Sequence, residues 1–166
     1  MYEFFVKILG GGISAVIFFL PLQVEYDNQT LTVKADLQNP VTEEVAELVQ
    51  NGYVFSLDFY CSTIINNNKV FRQTTTKVLT YKNDWFIDST KVKIDDILTE
   101  LGELVITFNN IYLHDNDEIV IFIKTTISPD SEFKKSTGLS TRILWNYYVP
   151  RVLETYKYFN NRLILQ

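Results

Sequence analysis

The sequence predicts a mainly β protein: an antiparallel β-sandwich, immunoglobulin-like or related, with two or three short helices. Three observations predict it. Phe55, Leu57, Phe59, Cys61 and Thr63 alternate with Ser56, Asp58, Tyr60 and Ser62, the period of a strand with one buried face. Asn66-Asn67-Asn68 follows, and asparagine tolerates the positive φ of a tight turn. The chain then runs through Val70, Phe71, Thr74, Thr75, Thr76, Val78 and Leu79, β-branched and apolar as strands prefer. The result is a long antiparallel hairpin over residues 53–82. About seven or eight strand-like runs against few helical ones extend this hairpin to a sandwich. A barrel with helices at its ends is the alternative.

The chain begins with a charge-free stretch, residues 8–24, which includes Gly10-Gly11-Gly12 and Phe18-Phe19-Leu20-Pro21. Its length is at the short edge of a membrane span. Lys7 precedes it, and Glu25 and Asp27 follow it. Positive-inside logic then puts the N-terminus in the cytoplasm and the domain outside. Residues 1–24 are expected to be a signal anchor or signal peptide, and residues 25–166 one β-rich domain. A buried first strand or helix is the competing reading of the same stretch.

Residues 22–26 and 30–37 read as strands around an Asp27-Asn28-Gln29 turn. Asn28-Gln29-Thr30 matches the glycosylation acceptor pattern, a match short enough to arise by chance. Asn39-Pro40 breaks the second strand. Thr42 is placed as an N-cap, Glu43 and Glu44 suit the positive helix end, and Val45, Leu48 and Val49 form an apolar stripe. Gly52 supplies a left-handed cap. Beyond the hairpin, residues 85–87 form a short strand and residues 95–101 a second helix closed by Gly102. Residues 104–108 and 111–113 are apolar runs. Ile119, Ile121 and Ile123 alternate with Val120, Phe122 and Lys124, and the strand is expected to be buried on both faces. The polar stretch to Ser140 reads as a loop. Pro150 suits a first helical position, and Leu153, Tyr156, Phe159 and Leu163 recur at helical spacing. A C-terminal helix is expected there.

Composition narrows the function. Hydrophobic residues make up 46%, with 12 Phe and 10 Tyr, which supports a large aromatic core and excludes disorder. The net charge of −5 argues against a general nucleic-acid partner. The acid is unevenly spread: from residue 129 onward six Lys and Arg face three Asp and Glu. Such a basic end is either a solvated tail or a face for an acidic partner or lipid headgroups. Cys61 is the single cysteine, so an intramolecular disulfide and a cysteine metal cluster are excluded. Its place on the inward register marks it as a small core hydrophobe.

Catalytic signatures are missing. His114 is the single histidine and no G-x-S-x-G elbow accompanies it. Zinc ligands, a dinucleotide fingerprint and a phosphate loop are absent as motifs. Asp115, Asp117 and Glu118 cluster at a turn without the calcium-loop pattern. Asp95, Asp96, Glu100 and Glu103 could pair as carboxylates, but solvation and helix capping explain them better. No catalytic residue, cofactor or metal is therefore assigned. The aromatics Trp145, Tyr147 and Tyr148 read either as core or as a platform for a sugar or peptide.

The order of features resembles a bacterial family described as domain of unknown function 4390. The likeness runs over roughly residues 31–149. It rests on Leu48-Val49-Gln50-Asn51-Gly52, the strand from Val54, Val78-Leu79-Thr80-Tyr81, Ile97-Leu98-Thr99-Glu100-Leu101-Gly102, the strand of residues 119–127, and Gly138-Leu139-Ser140 with Leu144-Trp145-Asn146-Tyr147. The hairpin tip Asn66-Asn67-Asn68 departs from the arginine- and tryptophan-rich tip of that family. The resemblance implies an exported protein with an N-terminal apolar segment, and it carries no activity or site residues.

Three function classes remain. The first is a non-enzymatic binding or interaction module, held at the periplasmic face of the inner membrane through residues 8–24, with a protein partner at the cell envelope. The others are a carrier or sensor of an apolar ligand and an unrecognised enzyme. Hot spots favour aromatic side chains and arginine, so Arg142, Tyr148 and Arg151 are placed at the partner-binding face. Trp145 is their internal support. Strand alternation would turn Trp145 and Tyr147 one way and Asn146 and Tyr148 the other.

Overall fold

The computed structural model describes residues 16–128 and 131–166. The chain folds into two antiparallel sheets and three short helices. In the small sheet, β3 (Thr30–Gln38) is the middle strand. On one edge it pairs with β1 (Phe18–Phe19) and then β2 (Gln23–Asp27), and on the other with β8 (Glu103–Phe108). The large sheet has seven strands in the order β11-β10-β9-β4-β5-β6-β7. These are β4 (Phe55–Ile65), β5 (Lys69–Tyr81), β6 (Trp85–Ile87), β7 (Thr90–Val92), β9 (Glu118–Ile127), β10 (Arg151–Phe159) and β11 (Arg162–Leu165).

The predicted hairpin is present in continuous register, from Phe55 opposite Leu79 to Ile65 opposite Lys69. Asn66 and Asn67 take φ of 49° and 57°, the primed turn that matches strand twist. Asn28 and Gln29 do the same between β2 and β3. Leu31, Val33, Ala35 and Leu37 of β3 and Leu104 and Ile106 of β8 share one core with Phe55, Leu57, Phe59, Cys61, Ile119, Ile121 and Ile123 of the large sheet. Tyr26 against Tyr158 at 5.2 Å and Phe71 against Phe108 at 6.1 Å bridge the two layers.

Helix α1 (Glu43–Gln50) follows the expectation. Thr42 Oγ1 accepts the Val45 N–H at 3.4 Å, Val45, Leu48 and Val49 are buried, and Gly52 has φ of +95°. The helix at the second site is α2 (Ile97–Gly102), preceded by a 3₁₀ turn over Ile94–Asp96. Gly102 is required there by close approach rather than by a left-handed cap. A Cβ at that position would lie 2.2 Å from the Leu37 carbonyl oxygen.

Three expectations need correction. No C-terminal helix forms: residues 151–165 make the β10–β11 hairpin. Asn160 and Asn161, with φ of 49° and 59°, build the same turn as Asn66-Asn67, and this local geometry overrides the helical spacing. Strand β9 is not buried on both faces: Val120 and Phe122 are half-buried and Lys124 is exposed. The polar stretch before Ser140 contains a short helix, α3 (Ser131–Thr137). Its Phe133 packs with Leu48 and Ile143 in a second, smaller cluster.

The apolar start is described only in part. Residues 8–15 lie outside the described residues, but residues 16–24 belong to the small sheet. Ile17 and Leu22 are buried, Phe18 and Phe19 pair with Gln38 and Leu37, and the Leu20 N–H donates to the Asp36 carbonyl at 2.9 Å. The Leu22 N–H donates to Glu154 Oε1 at 3.0 Å. A span that used all of residues 8–24 would give up these partners. Among the described residues no helix is long and apolar enough to cross a membrane.

Candidate interaction face

The small sheet covers one face of the large sheet, and among the described residues the other face is open. Register assigns its residues. Reading from β10 across β9 and β4 to β5, one row is Arg151, Lys124, Tyr60 and Thr74. The next is Leu153, Phe122, Ser62 and Arg72, and the third is Thr155, Val120, Ile64 and Val70. All point away from the core because their sequence neighbours Phe59, Cys61, Thr63, Ile121 and Ile123 point into it.

The open face is apolar at its middle and basic around it. Leu153 is 64% exposed and Val70 45%. Tyr60, Phe122, Val120 and Ile64 are half-buried by one another. The Tyr60 and Phe122 rings stand edge to face at 6.4 Å, and Lys124 Nζ lies 5.2 Å from the centre of the Tyr60 ring, within cation–π range. Arg72, Lys124, Arg151 and Lys157 are exposed, and the acids on the same face are Asp58 and Glu118. Asp58 is engaged by the Thr76 hydroxyl at 2.7 Å. The face is therefore net basic in a chain of net charge −5.

The three residues chosen from sequence lie around the turn that leads onto this face. Arg142 is exposed on a 3₁₀ turn, Thr141–Trp145. Trp145 is 4% exposed, its ring faces Phe55 at 6.4 Å, and its Nε1–H donates to the Pro40 carbonyl at 3.2 Å. Trp145 is therefore an internal residue, as expected. The expected alternation after it does not hold. Asn146 and Tyr147 both adopt left-handed conformations, φ 49° and 60°, so Tyr147 turns out to 61% exposure. The turn is fixed by the Tyr147 N–H on the Arg142 carbonyl and the Tyr148 N–H on the Trp145 carbonyl, at 2.9 and 2.8 Å. Tyr148 is exposed beside it. The Pro150 carbonyl then accepts the Thr125 N–H at 3.1 Å, which sets Arg151 on the open face.

Leu153, Phe122, Tyr60 and Lys124 were missed as site residues. Reading residues 150–163 as a helix concealed that β10 extends the sheet and carries Leu153 outward. The Asn160-Asn161 pair was the available signal.

At the turn of residues 115–118 two of the acids have structural partners. Asp117 accepts from Asn66 Nδ2 at 2.7 Å and from the His114 N–H at 2.8 Å, and Asn66 Oδ1 accepts the Glu118 N–H. Burial opposes the Asp117 charge, but the bonds from Asn66 and His114 outweigh it and hold the carboxyl below its ordinary value. Asp115 caps the Asn160 N–H at 3.1 Å. The Cys61 thiol is buried, and loss of solvation pushes its pKa up to about 12, which leaves it protonated and inert near neutrality. Among the described residues no group of three or more His, Cys, Asp or Glu is placed to hold a metal ion.

An apolar crevice opens between α1 and the α3 region, lined by Val45, Leu48, Tyr53, Val54, Phe133 and Leu144 among others. Its empty volume of about 280 Å³ includes space open to solvent, and its interior has room for about one water. No family model, no curated protein and no solved structure matches the chain.

Proposed function

We propose that the protein is a non-enzymatic binding module whose protein partner docks on the open face of the seven-stranded sheet. The observation that carries this reading is the exposed apolar strip Leu153–Phe122–Tyr60 ringed by Arg72, Lys124 and Arg151. Sheets exposed on one side ordinarily present polar residues there. Exposed aromatic and aliphatic groups beside arginine have the composition of a hot spot with a charged rim. Tyr148 and Arg142 extend the surface around the turn before β10. The crevice beside α1 is too narrow to favour the carrier reading.

Placement outside the cytoplasm is retained in this proposal, resting on residues 8–15 and on the family resemblance. Residues 16–24 add no support to a membrane tether, because they have partners in the sheet. A reporter fused after Gln166 separates the cases: activity of a cytoplasm-only reporter removes the envelope location but leaves the binding face untouched.

The binding face itself is tested by charge reversal. Arg151→Glu combined with Lys124→Glu is expected to leave the melting curve within about 1 kcal/mol of wild type, as surface charges do. It should weaken partner capture at least about tenfold, with the larger loss at low salt. Undiminished capture by a folded double variant would remove the face from the account.

A further inference from the structure

Strand β5 runs from Lys69 to Tyr81, but β6 covers its outer edge only from Leu79 to Tyr81. The edge is closed just beyond that point by Asp88. The Val78 N–H donates to Asp88 Oδ1 at 2.8 Å, and the Val78 carbonyl accepts the Asp88 N–H at 2.9 Å. The β4–β5 register continues without a bulge down to Lys69. Every second residue back from Val78 therefore turns its N–H and C=O the same way, away from β4. These residues are Thr76, Thr74, Arg72 and Val70. Among the described residues no strand pairs with them, and all four are exposed. A row of free donors and acceptors of this length is a template for an added strand.

Charge selects what is added. Lys69, Arg72 and Lys77 are the ionisable cations of β5, and the strand contains no Asp or Glu. Lys77 is already engaged: its ammonium donates to the Glu100 and Glu103 carbonyls at the end of α2. Lys69 and Arg72 remain exposed. A second copy pairing antiparallel through all four free positions would put Val70 opposite Thr76 and Lys69 opposite Lys77, and like charges directly opposed destabilise a ladder. The cations that discourage self-pairing favour a strand of opposite sign. The side chains of Val70, Arg72 and Thr74 also lie on the open face, so an added strand would continue it.

We propose that residues 70–76 of β5 take up an extended acidic segment of the partner protein as an eighth strand of the large sheet. This deepens the binding-module reading and rests on it. The probe is an eight-residue, end-blocked peptide with Glu at alternate positions and Val and Thr between, with a Lys-for-Glu version as control. Hydrogen exchange is followed amide by amide. The Glu peptide should slow exchange at Val70, Arg72, Thr74 and Thr76, while Phe71, Gln73 and Thr75, which face β4, stay slow throughout. The Lys peptide should leave the four amides fast. Thr74→Pro removes one edge donor at a position where proline is tolerated, and it should weaken the Glu peptide on the order of tenfold with the fold intact.

Equal protection by both peptides, or by neither, overturns the proposal. Protection that grows with protein concentration in the absence of peptide also overturns it and makes a second copy the occupant. Partner capture separates the two levels. Loss of capture in the Arg151→Glu, Lys124→Glu variant with full capture by Thr74→Pro sinks the edge proposal and leaves the module standing. Full capture by both sinks both.

Discussion

Ile121 and Phe122 are neighbours on β9 with opposite fates. Ile121 is completely buried and touches the core shared by both sheets. Phe122 is half-exposed on the other side of the same backbone, against Tyr60. The same contrast repeats on β4 with Phe59 and Tyr60, and in weaker form on β10 with half-buried Val152 and exposed Leu153. Both faces are rich in large apolar side chains, but among the described residues only one has a second layer over it. Apolar content is thus a poor guide to which face holds the molecule together. The covering sheet decides it, and what is left over is the candidate binding surface.

The largest effect should come from the inner face. Phe59→Ala is expected to cost about 3–5 kcal/mol in denaturant melts, because a fully buried aromatic leaves a cavity. Tyr60→Ala should cost clearly less, about 1 kcal/mol, the worth of a half-buried ring contact. Equal losses would mean that the two faces are equally covered, and the contrast would collapse.

A smaller effect tests what closes the inner face at the N-terminal end. Glu154 lies on the inward register of β10, where it accepts the Leu22 N–H and the Tyr156 hydroxyl. Burial, with the Glu154 carboxylate next, raises the Tyr156 pKa, so the phenol stays protonated and donates. Glu154→Ala leaves the Leu22 N–H without a partner and the Tyr156 hydroxyl with only the Leu22 carbonyl at 3.5 Å, and should cost about 1–3 kcal/mol. It should also speed exchange at the Leu22 amide. An unchanged Leu22 amide would show that residues 16–24 are held elsewhere than in this sheet.

Smaller still is a pH effect at the rim. The Asp117 carboxyl has a folded pKa below its ordinary value. Its stabilisation is therefore present above the unfolded value near 3.9 and lost as pH falls through the lower folded value. Asp117→Asn should flatten the acid limb of stability, where pH falls below the unfolded carboxyl value, while leaving inner-face variants their full cost. An unaltered acid limb would show that the turn linking Asn66, His114 and Asp117 does not depend on the carboxylate charge.

The sequence made the inner face of β4 legible because alternation there is strict and the turn residues are asparagines. Helix α1 was legible for the same kind of local reason, from Thr42 at its start to Gly52 past its end. The β10–β11 hairpin was not legible, since Leu153, Tyr156, Phe159 and Leu163 satisfy a helical period while Val152, Tyr156 and Tyr158 satisfy a strand period. Pairing resolves that ambiguity: the Asn160-Asn161 turn folds β11 back on one edge of β10, and β9 takes the other. The candidate face suffered from the same gap. Arg151 and Tyr148 were identifiable by residue type, whereas Leu153, Phe122 and Tyr60 become one surface only through the pairing of three strands. The charge-free start was ambiguous on composition alone, because a run that fits a short span also fits two edge strands and a proline turn.

The central claim is that the inner face supplies stability and the outer face supplies binding. Leu153→Asp addresses it most directly, since Leu153 is the most exposed large apolar side chain of the open face. Unfolding free energy and partner capture are measured on the same preparation. The account predicts an unfolding free energy within about 1 kcal/mol of wild type, as for an exposed position, together with a fall in capture of at least about tenfold, as for a hot-spot residue. A loss of stability as large as that of Phe59→Ala, or full capture by the folded variant, would contradict it.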